Sequence, residues 1–172
     1  MRLQGTVFRA HNPKWAFSPA SGDGAALYGG RFNPRGVPAL YTSLRMETAW
    51  REAQQGFAFK AQPLTICAYD VDCAEVADLT DARVRADLGI DESELSCPWE
   101  DLVLQGVEPG SWVVARRLMG TGTAAIIVPS FAPGAITPDR NVVFWRWGPN
   151  LPYRVLVVDE EGRLPRDQRS WS

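Results

Sequence analysis

Glycine and proline punctuate this chain, with 15 of one and 13 of the other in 172 residues, and that spacing decides what it can become. Together they make up about 16% of the residues, against a usual ~12%. Frequent breakers keep helices and strands short, predict many turns and argue against a helical bundle. They concentrate in residues 10–38, where Ser21-Gly22-Asp23-Gly24 and Gly29-Gly30-Arg31-Phe32-Asn33-Pro34-Arg35-Gly36 occur. An irregular stretch of that length inside a compact domain is usually functional.

Between the breakers, alternation of apolar and polar residues predicts strands over residues 3–8, 39–42, 64–71, 124–128, 142–147 and 154–158. Helices are expected over 44–55, capped by Ser43 and stopped by Gly56, and over 81–88, capped by Thr80 and ended by Gly89. Two more are expected over 98–104 and 111–119, the last closed by Gly120. On the first helix, Thr48, Ala49 and Glu52 share one side. The sum is an α+β fold of about six strands. The later strands follow one another without helices between them, which favours small, mostly antiparallel sheets.

At 45% apolar and 22% charged residues the composition is that of an ordinary globular protein, and the length suits a single compact domain over 1–172. A domain this large buries enough surface to fold without disulfides. Cys67, Cys73 and Cys97 form no C-x-x-C pair and read as small buried thiols in a reducing compartment. The apolar run 124–129 falls far short of the ~20 residues a membrane span needs. The N-terminus lacks the apolar core of a signal peptide, so the expected location is cytoplasmic.

Charge and residue counts exclude several functions. His11 is the one histidine, which rules out most histidine-based chemistry and leaves too few ligands at sensible spacings for zinc. No G-x-S-x-G elbow is present. Residues 1–60 carry 8 Lys/Arg against 3 Asp/Glu, residues 61–110 carry 2 against 12, and residues 111–172 carry 8 against 5. No basic run supports nucleic-acid binding. The basic ends could supply arginines to a small anion, and the acidic middle is a solvated face or a surface for a basic partner.

Gly120-Thr121-Gly122-Thr123-Ala124-Ala125 formally matches a dinucleotide fingerprint, but a helical pattern precedes it and a strand follows. That order is the reverse of what the fingerprint requires, so it reads as a helix-to-strand turn. Residues 29–36 say more. Two glycines let backbone approach a ligand, and Arg31 beside Pro34 offers a planar fork to a pyrophosphate or carboxylate, or else ties down its own loop. Tyr41 ends a short strand and reads equally as a core aromatic with a wet hydroxyl. Glu52 reads as a site carboxylate or as a solvated one paired with Arg45 or Arg51. Ser130 leaves the apolar run 126–129, where a plain turn residue would also fit.

Arg31, Glu52 and Ser130, in this order and in these contexts, resemble the RES domain family, which is named for those three residue types. The segments that carry the likeness are residues 29–36, 39–43, 47–52, 126–130 and 141–144, and the chain looks most like the ParT-type branch. The resemblance implies a bacterial type II toxin that consumes NAD+ and is held in check by an Xre-like helix-turn-helix antitoxin, with a homodimer as one arrangement inside that complex. It implies a fold similar to the ADP-ribosyltransferase toxins, with NAD+ in a cleft between small sheets and no metal. Carried over residue by residue, Arg31, Tyr41, Glu52 and Ser130 form the catalytic site, with Asn141 beside them. Arg31, Tyr41, Ser130 and Asn141 contact NAD+ in this reading. Phe32 stands where relatives carry Trp or Tyr and receives no polar role.

These residue types suit the chemistry. Breaking the nicotinamide–ribose bond passes through an oxocarbenium-like state. Nicotinamide leaves without a proton, so no histidine acid is needed. Arg31 would anchor the pyrophosphate, Tyr41 would stack on nicotinamide or its ribose, Glu52 would face the developing cation, and Ser130 would position the amide or the ribose. A protein acceptor gives mono-ADP-ribosylation, the first expectation. Water or phosphate gives an NAD+ glycohydrolase or phosphorylase. Outside catalysis stand a module that binds ADP-ribose without cleaving it and an interaction protein using the acidic segment 70–108.

Overall fold

Strand alternation builds the sheet, and burial on both faces holds it in place. A computed structural model describes residues 1–54 and 62–169. In β3 (Thr65–Cys73) the side chains of Cys67, Tyr69, Val71 and Cys73 point to one side and are all buried. Along its full length β3 pairs antiparallel with β1 (Leu3–His11), from Leu3 opposite Cys73 to His11 opposite Thr65. β7 (Tyr153–Val157) pairs with the other edge of β3.

A second group forms around β6 (Arg140–Phe144), with β2 (Leu40–Ser43) on one side and β5 (Ala125–Pro129) on the other. The short β4 (Val76–Asp78) lies parallel to β5. The strand order is β4-β5-β6-β2-β1-β3-β7. β1 and β2 meet in a single register pair, Phe8 opposite Ser43. The sheet is therefore two halves of four and three strands, hinged at one point. The expected small sheets appear as these halves of one mixed sheet, within the expected α+β class.

Two buried clusters occupy opposite faces. Ala125 and Ile127 of β5, with Val142 and Phe144 of β6, belong to one. Ile126 and Val128, with Val143, belong to the other. Burial on both sides explains the unbroken apolar run of β5. The second face is covered by α6 (Gly110–Gly120), through Val114, Ala115 and Leu118, and by α4 (Glu92–Ser96), through Leu95.

The other helices are α1 (Asp23–Tyr28), α2 (Met46–Ala53), α3 (Ala82–Asp87) and α5 (Trp99–Leu104). No helix among the described residues is long and apolar enough to cross a membrane. α1, α4 and β4 were not anticipated. α4 did carry a signal, since Asp91 and Glu94 form a capping box immediately before Leu95.

Two expected caps are corrected. Ser43 does not cap α2. β2 runs through it, opposite Asn141, and its hydroxyl bonds that side chain, so Arg45 stands at the N-cap. Thr80 turns its hydroxyl to Asp78, and Asp81 caps α3 by accepting from the Arg83 N–H. The expected helix end at Gln55 and Gly56 lies outside the described residues. The segment around Gly120 and Gly122 is the turn from α6 into β5, as its order suggested.

Candidate active site

The glycine-rich loop is a rigid platform. Gly30 and Asn33 form an isolated two-way bridge that places Arg31 and Phe32 at the tip of a tight turn. Asn33 is fully buried. Its Nδ2 donates to the carbonyls of Ala25 and Val37, both at 2.8 Å, and its Oδ1 accepts from the Tyr41 hydroxyl at 2.7 Å. That same hydroxyl accepts the Phe32 N–H at 2.9 Å. The indoles of Trp112 and Trp145 donate to the carbonyls of Gly30 and Phe32. Gly30 has no alternative, since a Cβ there would lie 2.6 Å from the Tyr41 oxygen and 2.7 Å from Asn33 Oδ1.

Arg31 leaves this platform half-buried. Its Nη1 donates to the carbonyls of Cys97 at 2.6 Å and Leu95 at 3.3 Å, and its guanidinium carbon lies 4.4 Å from the centre of the Phe131 ring. Burial pulls its pKa below the ordinary value, against the attraction of Cys97 and Glu52. Arg31 therefore ties its loop to the end of α4, and it also lines a cavity. Burial pushes the Tyr41 phenol well above its ordinary pKa, so it remains protonated, with its hydroxyl committed to the Arg31 loop.

Glu52 sits on α2, whose Thr48 and Ala49 are buried. Its Oε1 accepts from the Ser130 hydroxyl at 2.6 Å and from Asn141 Nδ2. Asn141 Oδ1 in turn accepts from the Ser43 hydroxyl at 2.7 Å, which orients the amide. Ser130 at the exit of β5 and Asn141 of β6 thus meet on one oxygen of the α2 carboxylate, and Ser43 of β2 stands behind Asn141. Glu52 does not take Arg45 or Arg51 as its ion pair; both approach Asp139.

Arg31, Tyr41, Glu52 and Asn141 line one cavity of about 420 Å³, together with Phe131 and Trp99. Tyr41, Glu52 and Asn141 also line a smaller one of about 250 Å³, with Phe8 and Ser43, at the hinge between the half-sheets. Ser130 is not among the side chains lining either; it acts on Glu52. Among the described residues, no group of three or more His, Cys, Asp or Glu side chains is placed to hold a metal ion.

Three contributors escaped the sequence. Arg9 lines both cavities and anchors its Nη1 on the carbonyls of Pro19 and Ser21. Its signal was an arginine in phase with buried Val7 on β1. Ser43, whose place before a helix suggests a cap, orients Asn141 instead. Asp139 has a side chain only 1% exposed and accepts from Thr48 Oγ1 at 2.6 Å, from the Ile136 N–H at 2.9 Å and from Arg51.

The fold is similar to that in the crystal structure of the M. tuberculosis MbcT–MbcA toxin–antitoxin complex. The TM-score is 0.63 at 19% sequence identity, covering 92% of this chain and 84% of that one. No curated protein matches the chain in sequence. The RES domain family matches it over residues 6–167, spanning the glycine-rich platform, Glu52 and the β5–β6 segment. The protein belongs to the RES domain family.

Proposed function

We propose that this protein cleaves the nicotinamide–ribose bond of NAD+ and transfers ADP-ribose to a protein, and that it does so as the toxin of a toxin–antitoxin pair. The observation that carries the reading is the Glu52 carboxylate, held at one oxygen by Ser130 and Asn141, in a cavity shared with Arg31 and Tyr41. When the ribose C1′–N bond breaks, its electron pair leaves with the ring. The pyridinium becomes neutral nicotinamide, and positive charge grows on the ribose. A carboxylate already fixed by hydrogen bonds stabilises that charge without reorganising during the reaction. The acceptor then bonds to C1′ and gives up its proton. Arg31 supplies a cation for the diphosphate, and Tyr41 supplies an apolar wall.

The partner expected for such a toxin is an Xre-like helix-turn-helix antitoxin, and the known assembly of the similar fold with an antitoxin supports the existence of a partner. The test is nicotinamide release from NAD+ by purified wild type and Glu52→Ala. A release rate that depends on Glu52 supports the reading; equal background rates in both overturn it. NAD+ labelled in its adenylate half, added with a cell lysate, then separates acceptors. Label on a protein band identifies a transferase, whereas free ADP-ribose alone identifies a glycohydrolase.

A further inference from the structure

Beside the Glu52 cavity lies a second cavity of about 480 Å³, lined by His11, Trp15, Phe17, Pro19, Leu27 and Tyr28 among others. The two are neighbours, since Arg9, Gly24 and Tyr28 line both. The second has the character of a site for a flat heteroaromatic ring. Trp15 and Phe17 stand with ring centres 6.4 Å apart, and Trp15, Leu27 and Tyr28 remain 53%, 65% and 71% exposed. A cluster of large apolar side chains left open around a concavity is costly unless something covers it.

The polar content points the same way. Both ring nitrogens of His11 are buried and, among the described residues, have no hydrogen-bond partner. Burial, then the Arg9 charge, pull its pKa down to about 4, so the imidazole is neutral and offers one donor and one acceptor. Unpartnered buried nitrogens call for a ligand or water to satisfy them. The two nitrogens point away from each other, so a heteroaromatic ring that carries donors and acceptors satisfies one of them and water the other. Arg9 stands at the border, half-buried, its guanidinium oriented by the Pro19 and Ser21 carbonyls at 2.9 and 2.8 Å. A fixed cation between a carboxylate cavity and an aromatic one suits an anionic linker that joins a ribosyl cation to a base.

We infer that the His11–Trp15–Phe17 cavity is the subsite for the adenine of the dinucleotide, and that Arg9 grips the diphosphate leading from it to Glu52. This rests on the NAD+ reading above. It also adds Arg9 to Arg31 as a cation for the diphosphate, the Nη1 of each being held by two backbone carbonyls.

The experiment compares wild type with His11→Ala and with Trp15→Ala, a half-exposed position whose loss leaves the core intact. Removing a stacking partner raises KM for NAD+ about tenfold while kcat falls less than twofold. Nicotinamide mononucleotide keeps the scissile bond and lacks the adenosine half, and its kcat/KM should change less than twofold in the same variants. Unchanged KM for NAD+ in both variants, or equal losses on the two substrates, overturns the subsite. Calorimetry with AMP and ADP-ribose runs alongside and needs no turnover. Binding by wild type that weakens about tenfold in Trp15→Ala supports the subsite even if no nicotinamide is ever released, an outcome that would sink the enzymatic reading alone. Wild type that binds neither AMP nor ADP-ribose overturns the subsite.

Discussion

Asp139 makes no contact with the proposed substrate cavity, yet the geometry gives it control over Glu52. Its carboxylate joins α2, which carries Glu52, to the segment that carries Ser130 and Asn141. Oδ1 accepts from Thr48 at 2.6 Å and faces Arg45 at 3.5 Å; Oδ2 accepts from Arg51 and from the Ile136 N–H at 2.9 Å. Its backbone carbonyl accepts the Ser130 N–H at 2.8 Å. In Asp139→Asn the amide can keep its oxygen towards Arg51 and Ile136 and donate its nitrogen to the Thr48 hydroxyl, so the bonds survive without their charge. Charge-assisted bonds are worth about 1.5–3 kcal/mol and neutral ones about 1, which sets the loss near ~1.5 kcal/mol. Asp139→Ala removes every bond. Breaking a buried pair costs about 3–5 kcal/mol, and the Arg51 and Arg45 side chains, 32% and 41% exposed, recover part of that in water, so the lower end applies. At about 2–4 °C per kcal/mol for a chain of this size, melting falls by about 3–6 °C for Asn and about 6–12 °C for Ala.

The pH dependence has a definite sign. Burial raises the Asp139 carboxyl, but the Thr48 hydroxyl, the Ile136 N–H and the Arg51 charge outweigh it and leave its pKa below the ordinary range. The stabilisation is therefore full above the unfolded value of about 3.9 and is lost as pH falls through the folded value. Melting curves at pH 7 and pH 3 should show the gap between wild type and Asp139→Asn closing in acid. At 25 °C, where both are folded, kcat for nicotinamide release should drop about tenfold with KM unchanged, because a displacement below 1 Å at the reacting centre is enough. A melting temperature within 1 °C of wild type refutes the energetic argument. A lowered melting temperature with unaltered kcat refutes the positioning role.

Gly30→Ala forces a methyl against the Tyr41 hydroxyl and Asn33, so a loss of about 1–3 kcal/mol in urea unfolding is expected; a neutral substitution would contradict the tight turn. Ser43→Ala frees the Asn141 amide that holds Glu52. One neutral hydrogen bond is worth about 1 kcal/mol, or about fivefold in kcat, and full activity would mean that the Ser43–Asn141 bond does not matter. His11 titrates near 6.5 in an unfolded chain and about 4 here, so stability should fall as pH drops from about 6.5 to about 4. His11→Phe should flatten that slope in thermal melts, and parallel slopes would count against a buried neutral imidazole.

Much of this protein was legible one segment at a time. The alternation in residues 3–8 and 64–71, the doubly buried run of β5, α6 and the turn at Gly120 and Gly122 all follow from patterns within a few residues, and the structure bears them out. Motif resemblance points to Arg31, Tyr41, Glu52, Ser130 and Asn141; four of these line one cavity, and Ser130 reaches it only through its bond to the Glu52 carboxylate. What the sequence could not decide was partnership at a distance. Arg45 and Arg51 are near Glu52 in sequence, yet both turn to Asp139, about 90 residues on, because β6 brings that buried carboxylate beneath α2. β7 follows β6 in the chain but pairs with β3 at the far edge of the sheet. Local periodicity and capping fix what an element is, since those energies act within a turn or two. Which of several similar charges or strand edges it meets depends on how the long connections close, and the tertiary structure alone decides that.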